Sequence, residues 1–426
     1  MVAQDACQRA FGLDFGQELL VVGALVLATA VVLFLAGRWR PGSPQRVVAA
    51  AAATAVNAVL PAMFCRWVDS TTIVLLSFNF MWISSFKAIS WAFNRGALVT
   101  QPFNFAQFFV VYAAPVTPVA NGTGAAGAAG KAAAAEPSTS SAGEPSGPPP
   151  ADSSKDSGST AGTADGGAAA GVRKGRLAED AGDTATMLRV WATKGLFLAC
   201  MVQLLQYPIP GFLESFCLAM ALMALLSMIM DGPAAAVVGL IGLRVSPHFD
   251  RPWTAKSVAA FWNKHWDLAA GNTLRQLVYD VVCDGSLLPP SKPQGHPSHT
   301  RQALGSLASF GASGLVHECI FWYLTGRTTR GVWSSYFLVQ VPAIILERIV
   351  LAQLKRRKIM VPALLRIAYT VGFETLTAQY LFFGATKRAG VSDSIVRNVG
   401  DTVITISKQL SALAGPWAGA LHMRAS

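Results

Sequence analysis

Charge is the scarcest ingredient of this chain. Asp, Glu, Lys and Arg make up 13% of its 426 residues, while hydrophobic residues make up 52%. Soluble domains carry about 25% charged residues, so an ordinary water-soluble fold is excluded; the mean hydropathy of +0.42 points the same way. The apolar runs lack the period-2 alternation of an outer-membrane barrel, which leaves a helical membrane protein. Cysteine is sparse and scattered: Cys7, Cys65, Cys200, Cys217, Cys283 and Cys319 form no CxxC and no metal-ligand spacing. Most lie in or beside apolar segments, where Cys is a small hydrophobe. Neither a disulfide framework, a metal site nor a Cys nucleophile is expected. Internal repeats and paired broken spans in matching halves are also missing, which argues against a transporter. The net charge of +11 raises nucleic acid as a partner, but no basic stripe with interleaved aromatics accompanies it.

What is present is a series of apolar runs, and the expected fold is all-α, polytopic, with roughly eight transmembrane helices plus re-entrant or interfacial pieces. Leu19 to Leu35 reads as a retained first span, followed by Arg38, Arg40 and Arg46. Basic flanks face the cytosol, which places the N-terminus in the lumen. Val47 to Cys65 is an Ala-rich second span. Ile73 to Phe93 is aromatic and carries Lys87, so one of its faces must meet protein, headgroups or substrate. Phe103 to Tyr112 is too short to cross and reads as re-entrant or interfacial. Val190 to Tyr207 and Phe212 to Met230 are separated by Pro208-Ile209-Pro210, and Ala234 to Leu243 is too short to cross alone. Val332 to Leu354 and Val361 to Phe383 flank the cluster Lys355-Arg356-Arg357-Lys358, the strongest cytosolic mark. The tail from Val391 mixes polar and apolar residues and is expected at the surface.

Residues 119–186 differ from everything around them. Ala, Gly, Ser, Thr and Pro dominate, and large apolar residues are almost missing. Such a segment buries too little surface to offset its ordering entropy. It is expected to be a disordered insertion between N-terminal membrane helices (1–118) and a second membrane region (187–426). It holds five basic and eight acidic residues, so elsewhere basic residues outnumber acidic ones 29 to 15. That excess belongs to surface loops facing anionic lipids and polyanionic substrates.

Two stretches carry candidate chemistry. Leu304 to Thr325 is long enough to span, is small in its first half (Gly305, Ser306, Ser309, Gly311, Ser313, Gly314), and carries His317 and Glu318 in its second. Small residues let neighbouring backbones approach, and an ionisable pair at depth is a functional candidate, although a histidine that merely bonds a neighbouring helix would look the same. Counted from Leu304, His317 lies about 20 Å from the cytosolic side. Glu318 lies ~100° round the helix and is expected to pair with a basic group elsewhere. The second stretch, Arg244 to Arg301, is polar and basic. From Ser257 its spacing predicts one amphipathic helix with Phe261, Trp262, Trp266 and Ala269 on a face, a bend after Gly271, and a second run over Leu274 to Val282. His265 and Asp267 bracket Trp266. An interfacial helix anchored by its Trp residues is the plainer reading. His248, His296, His299 and His422 are expected at the surface.

The run Pro247-His248-Phe249-Asp250-Arg251-Pro252, with Ser257, Phe261-Trp262, Trp266, Leu274-Arg275 and Val278-Tyr279, resembles the corresponding segment of plant-type wax synthases. Ser313-Gly314-Leu315-Val316-His317-Glu318, followed by Phe321-Trp322-Tyr323-Leu324-Thr325, is similar to that family's active-histidine helix. Asn94-Arg95-Gly96 and Tyr369-Thr370-Val371-Gly372-Phe373 are weaker likenesses. The resemblance implies a membrane-bound O-acyltransferase that moves a fatty acyl group from acyl-CoA, a co-substrate, to a long-chain alcohol; a sterol or terpenoid acceptor is the alternative. It implies an endoplasmic reticulum membrane and no metal or resident cofactor. The family's active histidine falls on His317, and its second active position, Asn or His there, on Asp267. Lys264-His265 stands where the family has Arg-Arg. On this reading Trp262, His265 and Trp266 line the substrate, while Lys256, Lys264 and Arg275 meet CoA phosphates. His317 would take the alcohol proton and Asp267 would orient the histidine or the substrate.

Overall fold

The computed structural model describes residues 12–66, 68–119, 183–291 and 295–422, with side chains to residue 409. Most of the 119–186 segment lies outside them, as do Lys292 and the last four residues.

The chain begins with helix α1, Phe15–Ala36, opened by a capping box between Asp14 and Gln17. Helix α2, Pro44–Val59, takes Ser43 as its N-cap and ends in a 3-10 turn over Leu60–Met63. Helix α3, Ser70–Ala92, contains a π-helical stretch over Ser77–Ser84. Helix α4, Phe105–Ala113, is only nine residues long. Beyond the insertion come α5, Thr184–Leu204, and α6, Gly211–Ile241. Next are α7 (258–265) and α8 (268–284), then α9, His299–Thr325, and α10, Val332–Arg356. Helix α11 (363–388) and α12, Val391–His422, complete the chain.

The architecture is all-α; among the described residues the β-structure is a lone bridge between Pro118 and Val245. Among the described residues six helices are long and apolar enough to cross a membrane: α1, α2 with its 3-10 turn, α3, α5, α6 and α10. The other two of the eight expected spans, α9 and α11, have the length but fall outside that set. Gly, Ser, His317 and Glu318 in one, and Arg366 and Glu374 in the other, lower their hydropathy. The expected short piece at Ala234 is the end of the 31-residue α6, which runs through Pro233. The indole N–H of Trp191 donates to the Met228 carbonyl, 2.9 Å away, one residue before the Ile229 carbonyl whose helical donor the proline removes. Helix α5 starts at Thr184, so three residues assigned to the insertion are helical, with Asp183 as the cap.

Contacts between loops sort the helix ends into two groups. At one end the Gly42 N–H donates to the Ala92 carbonyl at 2.8 Å, Arg95 pairs with Asp284 at 2.7 Å, and Arg366 donates to the Lys256 carbonyl. This end collects Arg38, Arg40 and the 355–358 cluster. At the other, Arg66 stacks over Trp322, Lys387 pairs with Glu214, and Asn398 donates to Ser70. The helices before the insertion therefore share the two-sided arrangement of those after it, and the basic loops gather at one end. Both borders of the insertion join that end: Val119 donates to the Arg244 carbonyl at 2.8 Å, and Thr184 packs on Gly239. One buried core runs from Val22 in α1 to Val391, so the two membrane regions pack as a unit.

One expectation about cysteine is corrected. Cys65 is disulfide-bonded, with its partner outside the described residues, while Cys200, Cys217, Cys283 and Cys319 are free thiols.

Candidate active site

His317 lies on α9, which starts five residues earlier than expected. At 1.5 Å per residue it sits ~27 Å from the helix start and ~12 Å from its end, nearer the end opposite the basic loops. Neighbouring helices come close because α9 is small where they cross. A Cβ on Gly314 would stand 2.8 Å from the Ser334 backbone, and one on Gly305 2.9 Å from the Tyr279 ring.

That close approach surrounds the imidazole with aromatic rings. Phe337 lies 4.2 Å away between centroids, Trp82 5.2 Å, Trp333 5.8 Å and Phe382 5.9 Å. Trp333 and Phe382 stack on one another at 4.5 Å. Trp82 and Phe382 both sit on π-helical turns, Ser77–Ser84 and Ala378–Phe383, where the extra residue per turn re-aims side chains. The indole N–H of Trp82 is buried and has no partner among the described residues.

The tautomer of His317 follows from one contact. Its Nδ1 lies 2.7 Å from the Ser313 carbonyl, and a carbonyl oxygen only accepts. Nδ1 therefore carries the proton, and in the neutral ring Nε2 holds the lone pair. No described residue bonds to Nε2. The group that orients this histidine is a backbone carbonyl of its own helix.

Asp267 is placed differently from its expected role. The chain does not continue as one helix through this region: α7 ends at His265, Asp267 takes a left-handed conformation at φ 36°, and α8 restarts at Leu268. The bend falls here, not after Gly271. The Asp267 carboxylate accepts from the Ala270 N–H at 3.2 Å and caps α8, with no bond to His317. Burial pushes its carboxyl up to about 6, against the Ala270 N–H and His248, which pull it down.

The break also separates the two tryptophans. Trp266 stacks on Phe261 and meets Phe249 edge-on. Trp262 turns toward the histidine: it packs on Phe310 of α9 and on Phe337, which touches His317. His265 Nδ1–H donates to the Asp250 carbonyl, so this ring clasps the preceding loop. Lys256, Lys264 and Arg275 are exposed, Arg275 beside Asp280 at 3.6 Å.

Several buried polar groups were not singled out by the sequence, or were assigned other settings. Glu374 on α11 accepts from Trp262 Nε1–H at 3.1 Å and from the Tyr336 hydroxyl at 3.2 Å. An acid inside an apolar run was the available signal. His248, expected at the surface, is 2% exposed; its Nε2–H donates to the Pro115 carbonyl at 2.9 Å, and Nδ1 lies 2.7 Å from Asp231, which also pairs with Lys194. Glu318 has no basic partner among the described residues: its carboxylate accepts from the Thr329 N–H and hydroxyl, closing the turn after α9. Among the described residues no cluster of His, Cys, Asp and Glu could hold a metal.

The Glu374 network yields a stability prediction. Glu374→Leu is expected to cost about 2–5 kcal/mol, because two buried donors lose their acceptor. Glu374→Gln should cost much less, since its carbonyl oxygen still accepts. Thermal unfolding in detergent compares them, and equal melting points for both variants would remove the network from the account.

Comparison with known proteins matches this region. Residues 245–340 fit the Membrane bound O-acyl transferase family, a span that takes in the α7–α8 break, His317 and Phe337. The chain is 30% identical over 155 residues to "Probable long-chain-alcohol O-fatty-acyltransferase 8" of Arabidopsis thaliana, covering 36% of this chain and 43% of the relative. It is 28% identical to "Probable long-chain-alcohol O-fatty-acyltransferase 7" of the same plant, over 34% of this chain and 41% of the relative. "Acyl-CoA--sterol O-acyltransferase 1", also from Arabidopsis thaliana, is 25% identical over 52% of this chain and 64% of its own length. The chain thus spans less than half of the first two relatives. The segment that holds the candidate site is therefore the part of the chain that matches the membrane-bound O-acyl transferase family, and the chain is similar over part of its length to plant long-chain-alcohol O-fatty-acyltransferases.

Proposed function

We propose that this protein transfers a fatty acyl group from acyl-CoA to a long-chain alcohol, giving a wax ester, in the endoplasmic reticulum membrane. The observation that carries the reading is His317: a histidine with its tautomer set by Ser313 and its free Nε2 facing an aromatic enclosure. Ester formation needs a base at the alcohol as its oxygen attacks the thioester carbonyl carbon. His317 Nε2 takes the hydroxyl proton as the C–O bond forms; the C–S bond then breaks, and the CoA thiolate recovers the proton from His317. The unpaired Trp82 N–H supplies a donor for the intervening oxyanion. Aromatic walls narrow the approach of water, which limits hydrolysis of the thioester.

The basic end faces the cytosol and admits CoA, with its phosphates near Lys256, Lys264 and Arg275. The acyl chain lies against Trp262 and the apolar helices. Trp266 and His265 shape the segment that carries Trp262, and Asp267 sets the α7–α8 break. A sterol acceptor is the second reading, favoured by the relative that covers 64% of its own length with a sterol O-acyltransferase name.

The test incubates membranes containing the protein with labelled acyl-CoA and separate fatty alcohol, sterol and diacylglycerol acceptors. Labelled wax ester supports the first reading and steryl ester the second; label in neither product with active membranes removes both. Asp267→Asn is expected to keep activity. Asn caps helices and tolerates the left-handed backbone. The wild-type carboxyl, raised by burial, favours the folded state when protonated, and that contribution is lost as pH rises through about 6. The Asn variant should therefore flatten the fall in melting temperature between about pH 4 and 6. Collapse of activity in this variant would instead make the carboxylate a participant in the reaction.

A further inference from the structure

A second cleft, of about 560 Å³, opens at the basic end between α1, α2, the end of α3 and residues 97–108. It is separate from the His317 enclosure and shares none of its rings. Arg46, in the first turn of α2, lines it and is 5% exposed. Its guanidinium lies 4.1 Å over the Trp91 ring. The Nε–H is buried with no partner among the described residues, and no described carboxylate reaches an ion-pair distance. Guanidinium is never deprotonated in proteins, and a buried charge without a counter-charge is costly. An anion in the cleft would compensate that charge.

The walls narrow the chemistry. Phe34, Phe103 and Phe108 line the same cleft, and Phe34 belongs to the exposed apolar face of α1 that also carries Leu27, Val31 and Leu35. That face is the lipid-facing side of a spanning helix, with Trp39 beyond its end at the level of headgroups. A small hydrated anion gains nothing from phenyl walls, whereas an amphiphile from the bilayer satisfies walls and guanidinium together.

We propose that this cleft binds an anionic amphiphile from the cytosol-facing leaflet, its oxyanion on Arg46 and an acyl chain along Phe34, Phe103 and Phe108. Basic pockets between membrane helices recognise anionic headgroups by this combination of charge and apolar surface. The site is independent of the acyl-transfer reading and does not require it.

The test uses the full chain purified in neutral detergent, with native mass spectrometry as the readout. Dioleoylphosphatidic acid, dioleoylphosphatidylcholine and inorganic phosphate serve as separate probes. Wild type is expected to retain phosphatidic acid in preference to phosphatidylcholine, and Arg46→Gln to lower that retention at least about tenfold. Gln101→Glu keeps Arg46 but places a carboxylate on the lining, and should lower retention similarly, which keeps the test decisive if Arg46→Gln fails to fold. Equal retention of both lipids in all three proteins would reduce the cleft to an apolar crevice and overturn the proposal. Displacement of phosphatidic acid by equimolar inorganic phosphate would identify a soluble-anion site, and would overturn it equally.

Discussion

His317→Ala is expected to lower acyl transfer by at least about 100-fold, the lower bound for removing a positioned general base, while the protein still inserts and folds. The expectation rests on the division of labour between the two ring nitrogens. Nδ1–H is committed to the Ser313 carbonyl at 2.7 Å, so Nε2 is the only basic atom the ring offers. A structural histidine would behave otherwise. Its worth would lie in ring contacts with Phe337, Trp82, Trp333 and Phe382, and His317→Phe would restore much of it. His317→Gln supplies a second comparison, since it retains polarity but no base. Parallel measurement of ester formation and melting temperature separates the cases. Turnover recovered by Phe, or retained by Ala, would refute the assignment of His317 as the base.

The sequence and the structure agree where a single residue's setting depends on its own helix. His317 and the small stripe at Gly305 and Gly314 were legible because lipid tolerates neither a histidine nor closely spaced glycines without cause. The short α4 was legible from length alone. Features that depend on a break in periodicity were not. Helical spacing over 257–270 put Trp262 and Trp266 on one face, but residues 261–265 wind as a π-helical turn and Trp266 leaves it in an extended conformation, which sends them to different neighbours. The π-helical turns that aim Trp82 and Phe382 leave no mark that a 3.6-residue period can detect. Partner choice was the least legible property. Glu318 was expected to find a cation and found the Thr329 turn, while His248 looked like a loop residue because Asp231 and Pro115, its partners, lie 17 and 133 positions away.

Lys87→Met should be the most destabilising single change in the first three helices, by about 3–6 kcal/mol. Lys87 on α3 is 2% exposed, and its ammonium donates to the carbonyls of Val111, Ala114 and Val116 at 2.7, 2.7 and 3.0 Å. Three donors meet three acceptors, so the group is fully used. Those carbonyls belong to the end of α4 and the irregular segment after it, where the chain turns back toward the basic end. Irregular backbone inside a membrane protein survives only when its polar groups are satisfied by protein, and here the series is unbroken. Ser84 donates to the Tyr112 carbonyl, Asn79 to Ala113, His248 to Pro115 and Ser246 to Thr117. Lys87 supplies three of these seven bonds. Methionine matches its length but leaves all three carbonyls without their donor, whereas Ser84→Ala removes only one bond and should cost about 1 kcal/mol. Helix α3 also carries Trp82 against His317, so loosening this segment should reduce activity at temperatures where the protein is still folded. Unfolding of both variants in one detergent, with limited proteolysis across residues 113–119, gives the comparison. A Met variant as stable as Ser84→Ala would show that the return segment is held by something other than the buried lysine.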